Sequence, residues 1–192
     1  MNIKCLIIID MLNDFLDPWD PAPKQRLLNN TNALISHLRR SETPIIWVGN
    51  AFKSDLSDAF LEMRDKQISI TIEGTRGAKV HPELDLRPED RMLTKKRYSA
   101  FFRTGLDDQL EDMPDGVIIL AGVNTHACIR TAAIDAYQRD YRVVIASDCI
   151  GSWDDHHAQV SLNYMRDKIA RVWSNEDIIG GFKLSSEIEE RD

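Results

Sequence analysis

The chain has 192 residues, 43% of them hydrophobic, which suits one domain with a substantial core, and its net charge of −7 argues against a nucleic-acid or anionic-membrane partner. No apolar run approaches the roughly 20 residues that span a bilayer, and Met1-Asn-Ile-Lys-Cys5 leads straight into a strand without a signal-peptide pattern. Three cysteines (Cys5, Cys128, Cys149), with no Cys-x-x-Cys spacing, indicate neither a disulfide framework nor a zinc site, so a reduced, cytoplasmic setting is expected.

Lys4 to Asp10 is an apolar run closing on a carboxylate, the pattern of a buried parallel strand. Asp10 then falls at the carboxyl end of the strand, where open α/β sheets bind ligands, or it caps the following turn. Asn13 to Pro23 reads as a turn-rich loop whose aromatics, Phe15 and Trp19, either wall a pocket or cover the sheet. Lys24 to Arg40 carries Leu27, Leu28, Leu34, Ile35 and Leu38 at helical spacing, an amphipathic helix over one face. Pro44 to Gly49 is a second strand. The charged, irregular stretch from Asn50 to Ile72, within a segment of about 50–90, reads as a helix plus loop serving as a lid or as an oligomer contact.

Met92 to Lys95 is a short third strand, and Thr104 caps a helix through Leu110. Val117 to Ala121 is a fourth strand, broken by Gly122, with Thr125 capping the helix that follows. Cys128 sits in that helix's first turn, where free N–H groups and the dipole favour an anion. It is either an activated nucleophile or a small buried hydrophobe. Arg142 to Asp148 is a fifth strand, Asp154 to Arg166 a helix, and Lys168 to Trp173 a sixth strand. Strands alternating with helices indicate βαβ units and a parallel sheet covered on both faces. No repeat or linker divides the chain, so residues 1–192 are expected to form one domain.

Asp10, Lys95 and Cys128 each follow a different strand at its carboxyl end, so a doubly wound sheet brings them to one rim. A carboxylate, an ammonium and a helix-terminal thiol make a workable unit for covalent hydrolysis.

Ile9-Asp-Met-Leu-Asn-Asp-Phe15, Lys95-Lys-Arg-Tyr-Ser-Ala-Phe101 and Gly122-Val-Asn-Thr-His-Ala-Cys128 resemble the isochorismatase-like cysteine hydrolases, a superfamily that includes nicotinamidases, N-carbamoylsarcosine and ureidoacrylate amidohydrolases and isochorismatases. The likeness runs from Ile3 to about Trp173. It implies a three-layer α/β/α fold with a six-stranded, mostly parallel sheet in the Rossmann-like order 3-2-1-4-5-6. It also implies Asp10 as general base, Lys95 as catalytic lysine and Cys128 as nucleophile. Lys95 is preferred to Lys96 because the family's lysine stands four residues before the serine of Ser-Ala-Phe, here Ser99. A cis peptide is implied at Val123–Asn124, turning the Asn124 N–H, alongside that of Cys128, into an oxyanion hole. The implied activity is hydrolysis of a small non-peptide amide or ureido compound through a thioester. The alternatives are a vinyl-ether hydrolase of the isochorismatase kind, which the Arg97–Phe101 run resembles, and a non-catalytic binding relative. The resemblance also implies a homo-oligomer.

Two departures stand out. Leu12 replaces the glutamine of many members. Val48-Gly-Asn-Ala-Phe52 lacks the Asp-x-His metal pair of nicotinamidases, and His81 alone is a poor ligand set, so neither metal nor other cofactor is expected. His126, two residues before the cysteine, either touches substrate or caps the helix. Tyr98, Phe101 and Phe52 are candidate pocket walls beside Phe15 and Trp19, while Cys5 and Cys149 are expected to be inert core thiols.

Overall fold

The computed structural model describes residues 2–166 and 168–181; the expected domain of 1–192 reaches beyond them. Six strands, β1 (Ile3–Ile9), β2 (Ile45–Asn50), β3 (Arg91–Lys95), β4 (Val117–Val123), β5 (Arg142–Gly151) and β6 (Arg171–Trp173), form one sheet in the order β3-β2-β1-β4-β5-β6. Every pairing is parallel. β2 and β4 are buried along their whole length, and β1 from Lys4 onward. Their near-continuous Ile, Leu and Val runs are what strands covered on both faces require.

Successive side chains of β1 point to opposite faces, and the core divides accordingly. Leu6 and Ile8 pack with Trp47, Ile119 and Val144 beneath α2 (Pro21–Arg40) and α7 (Asn175–Ile179). Cys5, Ile7 and Ile9 pack with Ile118 and Leu120 beneath α4 (Leu106–Glu111), α5 (Arg130–Tyr137) and the end of α6 (Asp155–Met165). Pro21 opens α2, where its fixed φ suits a first turn that needs no N–H. The helix then buries Leu27, Leu28, Leu34, Ile35 and Leu38, each contributing roughly 1.5–3 kcal/mol by leaving water.

Several local expectations are corrected. Gly122 does not break β4. It takes φ +121, and a Cβ there would lie 1.9 Å from the Ile9 carbonyl oxygen, so glycine lets β4 continue close beside β1. Thr125 is not a cap: its hydroxyl donates to the Gly151 carbonyl at 3.1 Å. Gly105, at φ +76, rather than Thr104, stands before α4, although the Thr104 hydroxyl does accept the Leu106 N–H at 3.2 Å. The loop after Asp10 contains a one-turn helix, α1 (Asn13–Leu16), β5 runs on to Gly151, and β6 begins at Arg171 rather than Lys168.

The stretch between β2 and β3 holds only α3 (Leu61–Asp65) and a small cluster of Phe52, Leu56, Ala59 and Met63. Its second half is fastened to the chain just after β1. The N–H groups of Asn13 and Asp14 donate to Lys79 and Gly77, and that of His81 donates to Met11. The Asp14 carboxylate accepts the Thr71 N–H at 2.7 Å. No helix among the described residues is long and apolar enough to cross a membrane.

Candidate active site

Asp10 follows directly on β1 with φ +55. Aspartate tolerates this left-handed conformation better than most residues, yet it still stores of order 1–3 kcal/mol, and such strain clusters at functional sites. The Asp10 N–H donates to Val48 at 2.9 Å, while Oδ1 accepts the Asn50 N–H at 2.9 Å. Lys95 is the last residue of β3, in register with Asn50. Cys128 lies in a π-type turn, Thr125–Ile129, between β4 and α5. The Asn124 carbonyl anchors that turn, accepting from the N–H groups of Ala127 (3.1 Å) and Ile129 (3.2 Å). The Val123–Asn124 peptide is cis.

Three remote segments thus meet at the point where strand order reverses, between β1 and β4, the crevice in which doubly wound sheets hold ligands. Lys95 Nζ lies 2.6 Å from Asp10 Oδ2, 2.7 Å from Asn50 Oδ1, 3.1 Å from the Arg97 carbonyl and 3.4 Å from Cys128 Sγ. Asp10 and Lys95 are closed to solvent, and Cys128 is 6% exposed. Asp10 Oδ2 makes the ion-pair contact with the Lys95 ammonium. Lys96 turns the other way, to Asp58 at 2.8 Å and to the Ala51 carbonyl.

Burial works against the Lys95 charge, but Asp10 and then Cys128 more than offset it, so the ammonium is held above the ordinary lysine range. Burial, reinforced by the Asp10 carboxylate, pushes the Cys128 thiol well above its ordinary range despite the opposing pull of Lys95. This corrects the expectation that helix position alone would favour a thiolate. The resting site holds a thiol beside a carboxylate, and the proton must be taken as the sulfur reacts. Cys5 and Cys149 are free and buried, each thiol pushed up by burial to about 12.

A cavity of about 790 Å³ opens at the same rim and reaches Asn124, while Asp10, Lys95 and Cys128 lie outside its lining. Phe15 and Trp19 wall it, and the Trp19 ring rests where a Cβ on Gly151 would stand. The other expected walls are corrected. Phe52 lies in its own small cluster, 2% exposed, and Phe101 is core, 3% exposed, beneath Arg139. Tyr98 is exposed and packs on Phe60 at 4.9 Å between ring centroids. His126 stands behind the wall, Nδ1 2.6 Å from the Ser152 hydroxyl; burial lowers its pKa. Sequence reasoning missed Trp153, whose N–H contacts Asn124 Oδ1 at 3.4 Å, and Asn50, whose side chain binds Lys95. For Asn50 the only available signal was its position at the end of β2. Among the described residues no group of three His, Cys, Asp or Glu side chains is arranged to hold a metal ion.

The isochorismatase domain matches residues 4–177. The chain belongs to the isochorismatase family. It is 28% identical over 180 residues to the isochorismatase family protein YaaI of Bacillus subtilis (strain 168), covering 92% of this chain and 96% of that one. It is 27% identical to nicotinamidase 3 of Arabidopsis thaliana over 84% of this chain and 79% of the relative. The crystal structure of an isochorismatase family protein from Desulfovibrio vulgaris superposes with a TM-score of 0.84 at 26% identity, covering 93% of this chain and 97% of that one. The isochorismatase family is hydrolytic, and this member shares its sheet order and flanking helices.

Proposed function

We propose that this protein hydrolyses a C–N bond of a small non-peptide amide or ureido compound through a thioester on Cys128. One contact set carries the reading: the Lys95 ammonium touches both the Asp10 carboxylate, at 2.6 Å, and the Cys128 sulfur, at 3.4 Å, away from water. Asp10 takes the thiol proton as Sγ bonds to the carbonyl carbon and the carbonyl electron pair moves onto oxygen. The backbone N–H groups of Asn124 and Cys128 receive that oxyanion, a donor of this kind lowering the barrier by about 3 kcal/mol. As the adduct collapses, the C–N bond breaks and Asp10 passes its proton to the departing nitrogen. Water then loses a proton to Asp10 and adds to the thioester carbon. Cleavage of the C–S bond releases the acid, and the thiolate recovers its proton from Asp10. Lys95 stays protonated throughout and holds both anions.

The Lys95–Cys128 contact favours this reading over vinyl-ether hydrolysis, in which Asp10 would protonate substrate and the thiol would have no part. Two measurements test it: a screen of small amides for ammonia release, and mass spectrometry of the quenched enzyme for an acyl group on Cys128. Cys128→Ala should abolish turnover, as should alkylation by iodoacetamide. Undiminished activity in either case removes the covalent route.

A further inference from the structure

The cavity beside Asn124 has a charge pattern that the proposed hydrolysis does not require. Four carboxylates line it: Asp14, Asp20, Asp148 and Asp155, against one guanidinium, Arg26. None of the four has an ion-pair partner among the described residues, where every ion pair involves other acids. Two of them are fixed by backbone donors: Asp14 accepts the Thr71 N–H at 2.7 Å and Asp148 the Asn175 N–H at 2.7 Å. Asp20 and Asp155 are exposed at the starts of α2 and α6.

A second feature of the same cavity points the same way. Three aromatic residues, Phe15, Trp19 and Trp153, line it, and Trp153 is 72% exposed, an unusual position for a side chain of that size. Aromatic faces attract cations, most strongly those of tryptophan, and a cleft lined by one sign of charge concentrates the opposite ion. Phe15 and Trp19 are half-buried on α1 and just before α2, so these rings are part of the scaffold rather than loose cover.

We infer that the cavity selects a small amide bearing a cationic group, seated between the aromatic rings and the carboxylates, and rejects amides that carry a carboxylate or sulfonate. The inference rests on the amide reading only for the identity of the reacting group. It separates this chain from any hydrolase whose substrate is an anion, because a dianionic or carboxylate-bearing molecule would meet four carboxylates against one guanidinium on entering.

Three meta-substituted benzamides of closely matched shape test it: one with a trimethylammonio group, one with a tert-butyl group and one with a sulfonate. Calorimetric binding to the full-length Cys128→Ala protein reads the cavity without turnover, and ammonia release by the unaltered enzyme reads the chemistry separately. At low salt the cation should bind more tightly than the sulfonate by at least about tenfold. That ratio should shrink as ionic strength rises past about 0.1 M. Asp20→Asn together with Asp155→Asn, both on exposed side chains, should cut it several-fold. A sulfonate that binds as well as the cation, a ratio untouched by the paired substitution, or no binding of the cation overturns the inference. Tight cation binding with no ammonia release would leave it standing and remove the proposed hydrolysis instead.

Discussion

The ammonium of Lys95 stands 2.6 Å from Asp10 Oδ2, and neither side chain reaches solvent. An ion pair in such a place contributes little net stability, because desolvation of both charges opposes their attraction. Removing one partner is a different matter, since the other is left charged and uncompensated.

Lys95→Met should therefore lower the unfolding free energy by roughly 3–5 kcal/mol in a urea titration at neutral pH, and should abolish turnover. The pH dependence has a definite sign. Burial opposes the Lys95 charge, but Asp10 and Cys128 together hold its folded pKa above the ordinary 10.5. The stabilisation is then complete below pH 10.5 and is lost as pH rises through the higher folded value. Above pH 10.5 the gap between the two proteins should narrow as Lys95 loses its proton. A gap that stays unchanged up to the pH at which both proteins unfold would contradict this assignment.

Asn50→Leu should act on rate rather than on affinity. Its Oδ1 accepts a hydrogen bond from the Lys95 ammonium at 2.7 Å and its Nδ2 donates to the Lys95 carbonyl at 3.2 Å, so the side chain fixes the ammonium. A hydrogen bond to a charged group is worth about 1.5–3 kcal/mol, which predicts a fall in kcat of roughly 10- to 100-fold with KM little changed. A raised KM at unchanged kcat would assign Asn50 to substrate binding instead.

Gly122→Ala should destabilise the fold by roughly 3 kcal/mol, combining a strained φ of +121 with a methyl group driven into the Ile9 backbone. Because Ile9 precedes Asp10, activity should fall further than the loss of folded protein explains. Thermal unfolding and specific activity per folded molecule measure the two effects. A neutral outcome in both would mean that β1 and β4 separate without cost.

Asp90 offers a control far from the chemistry. Burial tends to raise its pKa, but hydrogen bonds from Arg39 (2.7 Å), the Arg87 N–H (3.0 Å) and the Trp47 indole (2.9 Å) hold it below the ordinary 3.8. A depressed carboxylate stabilises the fold above its unfolded pKa and stops doing so as pH falls through its folded one. Asp90→Asn should cost roughly 3 kcal/mol at neutral pH, a penalty that fades only below about pH 3.8, with turnover per folded molecule unchanged. A penalty already fading at pH 6 would show that the carboxylate is not held this way.

The meeting of Asp10, Lys95 and Cys128 was legible because each follows a different strand at its carboxyl end and a doubly wound sheet has one carboxyl rim, while the strand order followed from the family resemblance. What surrounds them was not. Asn50 reads as an ordinary strand end until β3 brings Lys95 alongside it, since its partners are 40 and 45 positions away in sequence. Phe101 and Phe52 looked like walls because aromatic composition does not distinguish a ring facing a cavity from one facing a core. Gly122 read as a breaker because glycine weakens a strand locally, whereas here the close neighbouring backbone admits nothing larger. The thiol's resting protonation was misjudged for a related reason: the turn's dipole is visible in sequence, while the burial that outweighs it belongs to the folded molecule.

The ties from Asn13 and Asp14 to residues 71–79 reach further than anchoring a surface stretch. Peeling that outer layer away would pull on the one-turn helix only three positions past the bent backbone at Asp10. Swapping or lengthening this layer should therefore be felt first as misaligned proton transfer, before any change in what can enter.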